Sequence, residues 1–237
     1  MIKVITSKDN ARVKYAISLK DSKNRKANKE FLCESKKSLS MALEKNLVKE
    51  VFTLEYLDIP EDITQNLVSE EVLKKISYSV SPEVVFIASE VNNKPSKLDK
   101  LLYLDHISDP GNMGTILRTA LALNYDAVII SKDSVSIYNE KVIAASKGAI
   151  FSLPILFDNL SNYLDHQIIV SSLSNDSLDI KSFKPNNRFV LVLGNESHGA
   201  SKDIINKADV LIKIPMKDID SLNVAVAGAI LMYELIK

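Results

Sequence analysis

Apolar residues recur along this chain in two rhythms, and the change between them falls near residue 92. Before it, "VKYAISL" (Val13–Leu19) is apolar at helical spacing, and "FLCE" (Phe31–Glu34) is a short strand. Leu39, Ala42, Leu43 and Leu47 share one face of a further helix. "EVFTLEYL" and "VVFIASEV" are strands with a Ser69-capped helix between them. The intervening "DSKNRKANKE" is polar and basic and reads as a loop.

"NNKPSKLDK" (Asn92–Lys100) is polar, contains proline, and is assigned as a linker. The expected division is a small α/β domain over 1–91, the linker 92–100, and a larger domain over 101–237. Past the linker, strands alternate with helices. "KLLYLDHI", "DAVIIS", "QIIVSS", "RFVLVLG" and "VLIKIP" are strands. Helices are expected over 112–124, within "NEKVIAASKGA", over 201–207 and in the closing "SLNVAVAGAILMYELIK". Strands apolar on both faces and separated by helices imply a mostly parallel sheet in an α/β fold.

A hydrophobic content of 46% with 25% charged residues fits an ordinary globular protein. The single cysteine, Cys33, excludes an internal disulfide and a cysteine-based zinc site. Scattered histidines give no metal-ligand spacing, so no metal is expected. The opening "MIKVITSKDN" lacks the apolar core of a signal peptide, and no segment approaches a membrane span. A cytoplasmic location is therefore expected. Zero net charge hides an asymmetry: residues 1–50 hold 13 Lys/Arg against 6 Asp/Glu, and the remainder 17 against 24. A basic segment on an acidic body suits either a polyanion partner or a solvated basic helix.

Ligands of parallel sheets bind outside the carboxyl ends of the strands, and three loops there carry candidate chemistry. In "DPGNMGTILRTA", Gly111 and Gly114 open a helix N-terminus suited to an anion. Arg118 follows one turn after Gly114, able to grip a phosphate or to pair with a carboxylate on the sheet. In "LVLGNESHGAS", a strand enters Gly194, Glu196 follows, and Gly199 permits a sharp exit. His198 is either an acid/base group or a surface bystander. In "IPMKDIDSLNVAVAGA", Pro215 ends a strand and Asp220 or Ser221 caps the last helix, beside the small residues Ala225, Ala227 and Ala229. Dinucleotide, P-loop and nucleophile-elbow signatures do not occur.

In this order and spacing, the three loops resemble the motifs of the SpoU/TrmH family of RNA ribose 2′-O-methyltransferases, over about residues 98–237. The N-terminal part resembles that family's L30e-like RNA-binding domain. The resemblance implies a parallel-sheet domain tied in a deep trefoil knot, bound S-adenosylmethionine, and a homodimer whose active site draws on both subunits. By the same resemblance, Leu193, Gly194, Ile214, Met216 and Leu222 contact the cofactor, largely through backbone. Arg118, Asn112, Glu196, Ser221 and Asn223 match the polar catalytic positions. Ser197 stands where the family often has glycine, and "KDID" replaces a glycine-containing turn. Glu196 and Asn112 are expected to orient Arg118, which clamps the RNA phosphate and stabilises the forming alkoxide.

Lys3, Lys8, Arg12, Lys14, Lys23, Arg25, Lys26 and Lys29 are candidate phosphate contacts of the basic N-terminal domain. Ribosomal RNA, of the 23S kind, is favoured over tRNA as the substrate. The alternative from another class is an RNA-binding module without catalysis.

Overall fold

Short apolar strands between capped helices build the first unit, Met1–Val91 together with Tyr138–Phe151, of a computed structural model that describes residues 1–237. In chain order its elements are β1 (Ile2–Ile5), α1 (Ala11–Ser18), α2 (Ser22–Asn28), β2 (Glu30–Glu34), α3 (Lys36–Glu44), β3 (Val48–Thr53), β4 (Thr64–Val68), α4 (Glu70–Ile76) and β5 (Val84–Ser89). The sheet order is β1-β4-β3-β5-β2. Its β1–β4 and β4–β3 pairs are parallel, whereas β5 runs antiparallel to β3 and β2. Phe52, Val13 and Leu73 are fully buried in its core, each such side chain contributing about 1.5–3 kcal/mol when removed from water.

Two departures from the expected elements have local causes. The polar stretch after Lys20 is a helix, because the Asp21 carboxylate accepts from the Lys23 and Asn24 N–H groups and Lys29 closes the end at φ 53°. Capping and one buried side chain, Arg25, replace the apolar face that a helical pattern requires. Strands β1 and β4 have no counterpart among the expected elements. β1 has three exposed residues in four, so its place depends on backbone pairing with β4. The Ser69 cap of α4 is as expected, with Ser69 Oγ accepting from Val72 N–H.

The second unit comprises Asn92–Ile137 and Ser152–Lys237. Its strands are β6 (Lys100–Leu104), β7 (Ala127–Ile130), β8 (Ile155–Phe157), β9 (Gln167–Ser171), β10 (Leu178–Asp179), β11 (Phe189–Leu193) and β12 (Val210–Lys213). The helices after β6 are α5 (Pro110–Ala122), α6 (Glu140–Ser146), α7 (Lys202–Ile205) and α8 (Val224–Leu235). All pairings in the sheet β10-β12-β9-β11-β6-β7-β8 are parallel, matching the apolar runs of β6, β7, β9, β11 and β12; the short edge strands β8 and β10 have no counterpart among the expected elements. Helix α6 belongs to the first unit despite its place in the chain. There Phe31 meets the Tyr138 ring at 4.8 Å and Phe151 at 6.0 Å. The larger domain is thus interrupted, in place of the contiguous 101–237 that the pattern predicts.

Candidate functional site

Where β6 ends, the chain turns through His106 at φ 57° and starts α5 at Pro110. Asp109 caps that helix, its Oδ1 accepting from Asn112 N–H at 2.7 Å. Gly111 and Gly114 therefore lie in the first turns of the helix, at its N-terminus as expected. The cap places Asn112 in the first turn, facing the loop after β11. Asn112 Nδ2 donates to Glu196 Oε1 at 3.2 Å, and Asn112 Oδ1 accepts from Asn223 Nδ2 at 2.9 Å. Three segments far apart in the chain thus meet in one hydrogen-bond chain, Glu196–Asn112–Asn223.

Glu196 is its hub. Oε1 also accepts from Asp109 N–H at 3.1 Å, and Oε2 accepts from Ser108 N–H at 3.3 Å and Ser108 Oγ at 3.1 Å. Partial burial pushes the carboxyl pKa up. Donors from its own backbone, Asn112, Asp109 and Ser108 outweigh that and hold it below its ordinary value. The group is a fixed anion and accepts hydrogen bonds only.

Beside this chain lies a cleft of about 370 Å³, outside the carboxyl ends of β9, β11 and β12. The volume is of the size that holds a cofactor. Its walls come mainly from residues 193–200 and from Lys213, Ile214, Met216, Ser221 and Leu222. Leu173, Ile205, Leu222 and Ala227 add apolar surface, and Glu196, Ser221 and Lys213 supply polar groups. Two glycines shape the loop. A Cβ on Gly194 would lie 2.1 Å from Ala200 N and 2.2 Å from Gly199 C, and Gly199 sits at φ 69°, the left-handed region that glycine enters freely.

Leu193, Gly194, Ile214, Met216 and Leu222, the five residues matched to cofactor contacts, all line this cleft. Asn112, Glu196 and Asn223 are joined as described, and Ser221 lies exposed on the cleft wall. Arg118 is not brought to them. It is exposed on α5 and its side chain makes no hydrogen bond or ion pair, so Glu196 and Asn112 do not orient it within one chain. The cap of α8 is Asn223, whose Oδ1 accepts from Ala225 and Val226 N–H, not Asp220 or Ser221. His198 has its Nδ1 3.3 Å from Asn195 Oδ1 and is exposed. Residues 171–173 at the end of β9 also line the cleft, though no motif singles them out. Their only signal in the sequence is that they end a parallel strand.

In the first unit, Lys3, Lys23, Lys26 and Lys29 are exposed. Lys8 pairs with Glu71 at 2.8 Å and Lys14 with Asp9 at 3.0 Å, both on the surface. Arg12 Nε donates to the buried Glu50 at 2.9 Å, with its guanidinium 4.8 Å from the Tyr15 ring centre. Arg25 is a correction: it is 8% exposed and donates through Nη1 to the Leu19 and Lys20 carbonyls, which leaves it a structural tie. No group of three or more His, Cys, Asp and Glu side chains is placed to hold a metal ion.

Residues 99–233 match the SpoU rRNA Methylase family, and residues 10–87 match an MRM3-like substrate binding domain. A 23S rRNA (guanosine(2553)-2′-O)-methyltransferase, RlmP, of Bacillus subtilis is 29% identical over 99% of both chains. The crystal structure of an AdoMet-bound rRNA methyltransferase from Sinorhizobium meliloti has a TM-score of 0.88 at 26% identity, covering 98% of this chain and 97% of that one. The SpoU methyltransferase AviRb of Streptomyces viridochromogenes shares the fold, with a TM-score of 0.84 at 23% identity over 96% of each chain.

Proposed function

The chain belongs to the SpoU rRNA methylase family, and we propose that it transfers a methyl group from S-adenosylmethionine to a ribose 2′-OH of 23S ribosomal RNA. The observation that carries this reading is the Glu196–Asn112–Asn223 chain beside a cleft at the carboxyl ends of the parallel strands. An adenosyl group would suit a cleft whose apolar surface comes from Leu173, Leu222 and Ala227 and whose polar groups come from Glu196, Ser221 and Lys213. Leu193, Gly194, Ile214, Met216 and Leu222 are the residues that would hold it. When bound, S-adenosylmethionine supplies a methyl group on a positively charged sulfur, whose departure as a neutral thioether needs no acid.

The protein must instead manage the hydroxyl. A ribose 2′-OH is a weak acid; as its proton leaves to solvent, negative charge builds on the oxygen, which forms the new bond to the methyl carbon while the methyl–sulfur bond breaks. Arg118 is free to meet an RNA phosphate and that oxygen together. A guanidinium, all donors and no acceptor, serves better as a clamp than as a base. Holding the reactants in line is itself worth about 7–11 kcal/mol.

Arg118 makes no bond to its own Glu196 cluster, which supports a homodimer whose active sites take Arg118 from the partner subunit. The exposed Val226, Ile230 and Tyr233, spaced along α8, support that helix as the contact. The reading also includes a deep trefoil knot in the second unit, which the match of residues 99–233 to the SpoU family supports. It further includes an L30e-like character for the first unit, supported by its mixed β1-β4-β3-β5-β2 sheet. A ribosomal RNA substrate supports a cytoplasmic site of action. No helix is long and apolar enough to cross a membrane.

Incubating the protein with radiolabelled S-adenosylmethionine and, separately, total rRNA and total tRNA tests the reading. Label in the rRNA pool, resistant to alkaline hydrolysis at the modified step, is expected. Label in tRNA alone would move the substrate class, and absence of cofactor binding would leave an RNA-binding module.

The first unit should supply affinity through exposed lysines. Replacing Lys23 and Lys26 by Ala is expected to flatten the dependence of log K on log salt by about one for each phosphate no longer neutralised, with stability unchanged. Arg25→Ala is expected to cost about 1–3 kcal/mol of stability in thermal unfolding, by stranding two carbonyls, with the salt slope of RNA binding retained.

A further inference from the structure

Asp105 is 2% exposed at the end of β6, and nothing in the methyl-transfer chemistry accounts for it. A buried carboxylate is costly unless its oxygens find donors. Here both do. Oδ2 accepts from Ser201 N–H at 2.9 Å, and Oδ1 lies 2.8 Å from His106 Nδ1. Ser201 ends the cleft-lining loop that begins at Gly194.

The other end of that loop is tied to the neighbouring residue. The His106 carbonyl accepts from Asn195 Nδ2 at 2.8 Å. His106 holds φ 57°, uncommon for a residue other than glycine, and two bonds secure it there. Its N–H donates to Ser131 Oγ at 2.9 Å, and its ring meets Asp105. Between the two ties the loop closes on itself: Asn195 and Gly199 exchange both backbone hydrogen bonds, each 2.9 Å. Asp105 N–H donates to Leu193 O at 2.9 Å, continuing the β6–β11 ladder up to the loop.

We propose that Asp105 and His106 are positioning residues that clamp the Gly194–Ser201 loop at both ends, and so hold the cleft wall and Glu196 in their binding geometry. The proposal rests on the methyltransferase reading for its consequence but not for its mechanics. Asp105 touches neither the cleft nor the Glu196 cluster; it acts through Ser201 and His106. An adjacent pair serves this purpose better than two distant residues, because one rigid strand end then fixes both loop ends against each other.

The test uses the full chain and the variants Asp105→Ala, Asp105→Asn and His106→Asn. Asn at 105 keeps an acceptor for Ser201, and Asn at 106 tolerates the left-handed backbone while removing the imidazole. By titration calorimetry, Asp105→Ala is expected to weaken S-adenosylmethionine binding by about tenfold or more, the worth of a charge-assisted hydrogen bond. Asp105→Asn is expected to recover most of that loss. His106→Asn should fall between them, and rRNA affinity should stay unchanged in all three. Amide hydrogen exchange of the ligand-free proteins should show Asn195 and Gly199 losing protection in Asp105→Ala while β11 keeps it. Should Asp105→Ala fail to fold, His106→Asn carries both readouts. Wild-type cofactor affinity together with wild-type protection of Asn195 and Gly199 in the folded variants would overturn the clamp. A wild-type chain that binds no S-adenosylmethionine would overturn the methyltransferase reading, and the exchange pattern would still decide the clamp.

Discussion

Replacing Arg118 by Ala is expected to lower kcat for methyl transfer by about 10²–10³, the usual effect of removing one donor aimed at developing negative charge. S-adenosylmethionine affinity should not change. The reason is positional: Arg118 is absent from its own chain's cleft wall and Glu196 hydrogen-bond chain, and its proposed targets are the RNA phosphate and the 2′ oxygen, so its loss leaves the cofactor's own contacts in place. Single-turnover methylation with labelled cofactor, alongside calorimetric binding, separates the two quantities. Lys at 118 keeps the charge but loses the planar fork, and should restore only a small part of the rate. A variant that retained rate but lost cofactor binding would place Arg118 in the wrong half of the reaction. If the active site is shared between subunits, mixing Arg118→Ala with an inactive Glu196→Ala chain should regenerate about a quarter of the sites intact for random pairing of equal amounts, a rescue that no single-chain site allows.

Much of this arrangement is legible in the sequence, for a physical reason. Parallel strands buried on both faces show as unbroken apolar runs, so the core of the second sheet is visible there. Its functional loops have to follow strand carboxyl ends, which locates 109–118, 194–200 and 214–223. Four kinds of feature are hidden. β1 has no apolar pattern because its place comes from pairing with β4. α2 has no apolar face because the Asp21 cap and Arg25 replace it. Helix α6 looks like any helix of the second domain, and only aromatic packing around Phe31 and Phe151 shows that it belongs to the first. Arg25 is indistinguishable in sequence from its exposed neighbours Lys23 and Lys26, since charge does not reveal which side chain is turned inward. The same holds within the site. The family resemblance singles out Glu196 and Asn112, but their bond to each other, and not to Arg118, shows only in the folded chain.

Gly194→Ala is the second substitution expected to have a large effect, and it acts on cofactor binding where Arg118→Ala acts on rate. A Cβ at 194 would sit 2.1 Å from Ala200 N, 2.2 Å from Gly199 C and 2.5 Å from Ala200 Cα. All three are backbone atoms, so no side chain can rotate away. The loop must lift from the end of β11, which breaks its bridge at Asn195 and Gly199 and strains the Asp105–Ser201 bond. Overpacking of this kind costs about 1–3 kcal/mol in a well-packed interior. That is small enough for a core holding fully buried Leu191 and Val192 to remain folded. The lost geometry falls on the cleft, which Leu193, Gly194 and Ala200 all line. Calorimetry should therefore show S-adenosylmethionine affinity reduced by about tenfold or more, while rRNA binding through the exposed lysines of the first unit persists. Wild-type cofactor affinity in a folded Gly194→Ala protein would mean that the loop yields without cost, and that the close approach at 194 plays no part in shaping the site.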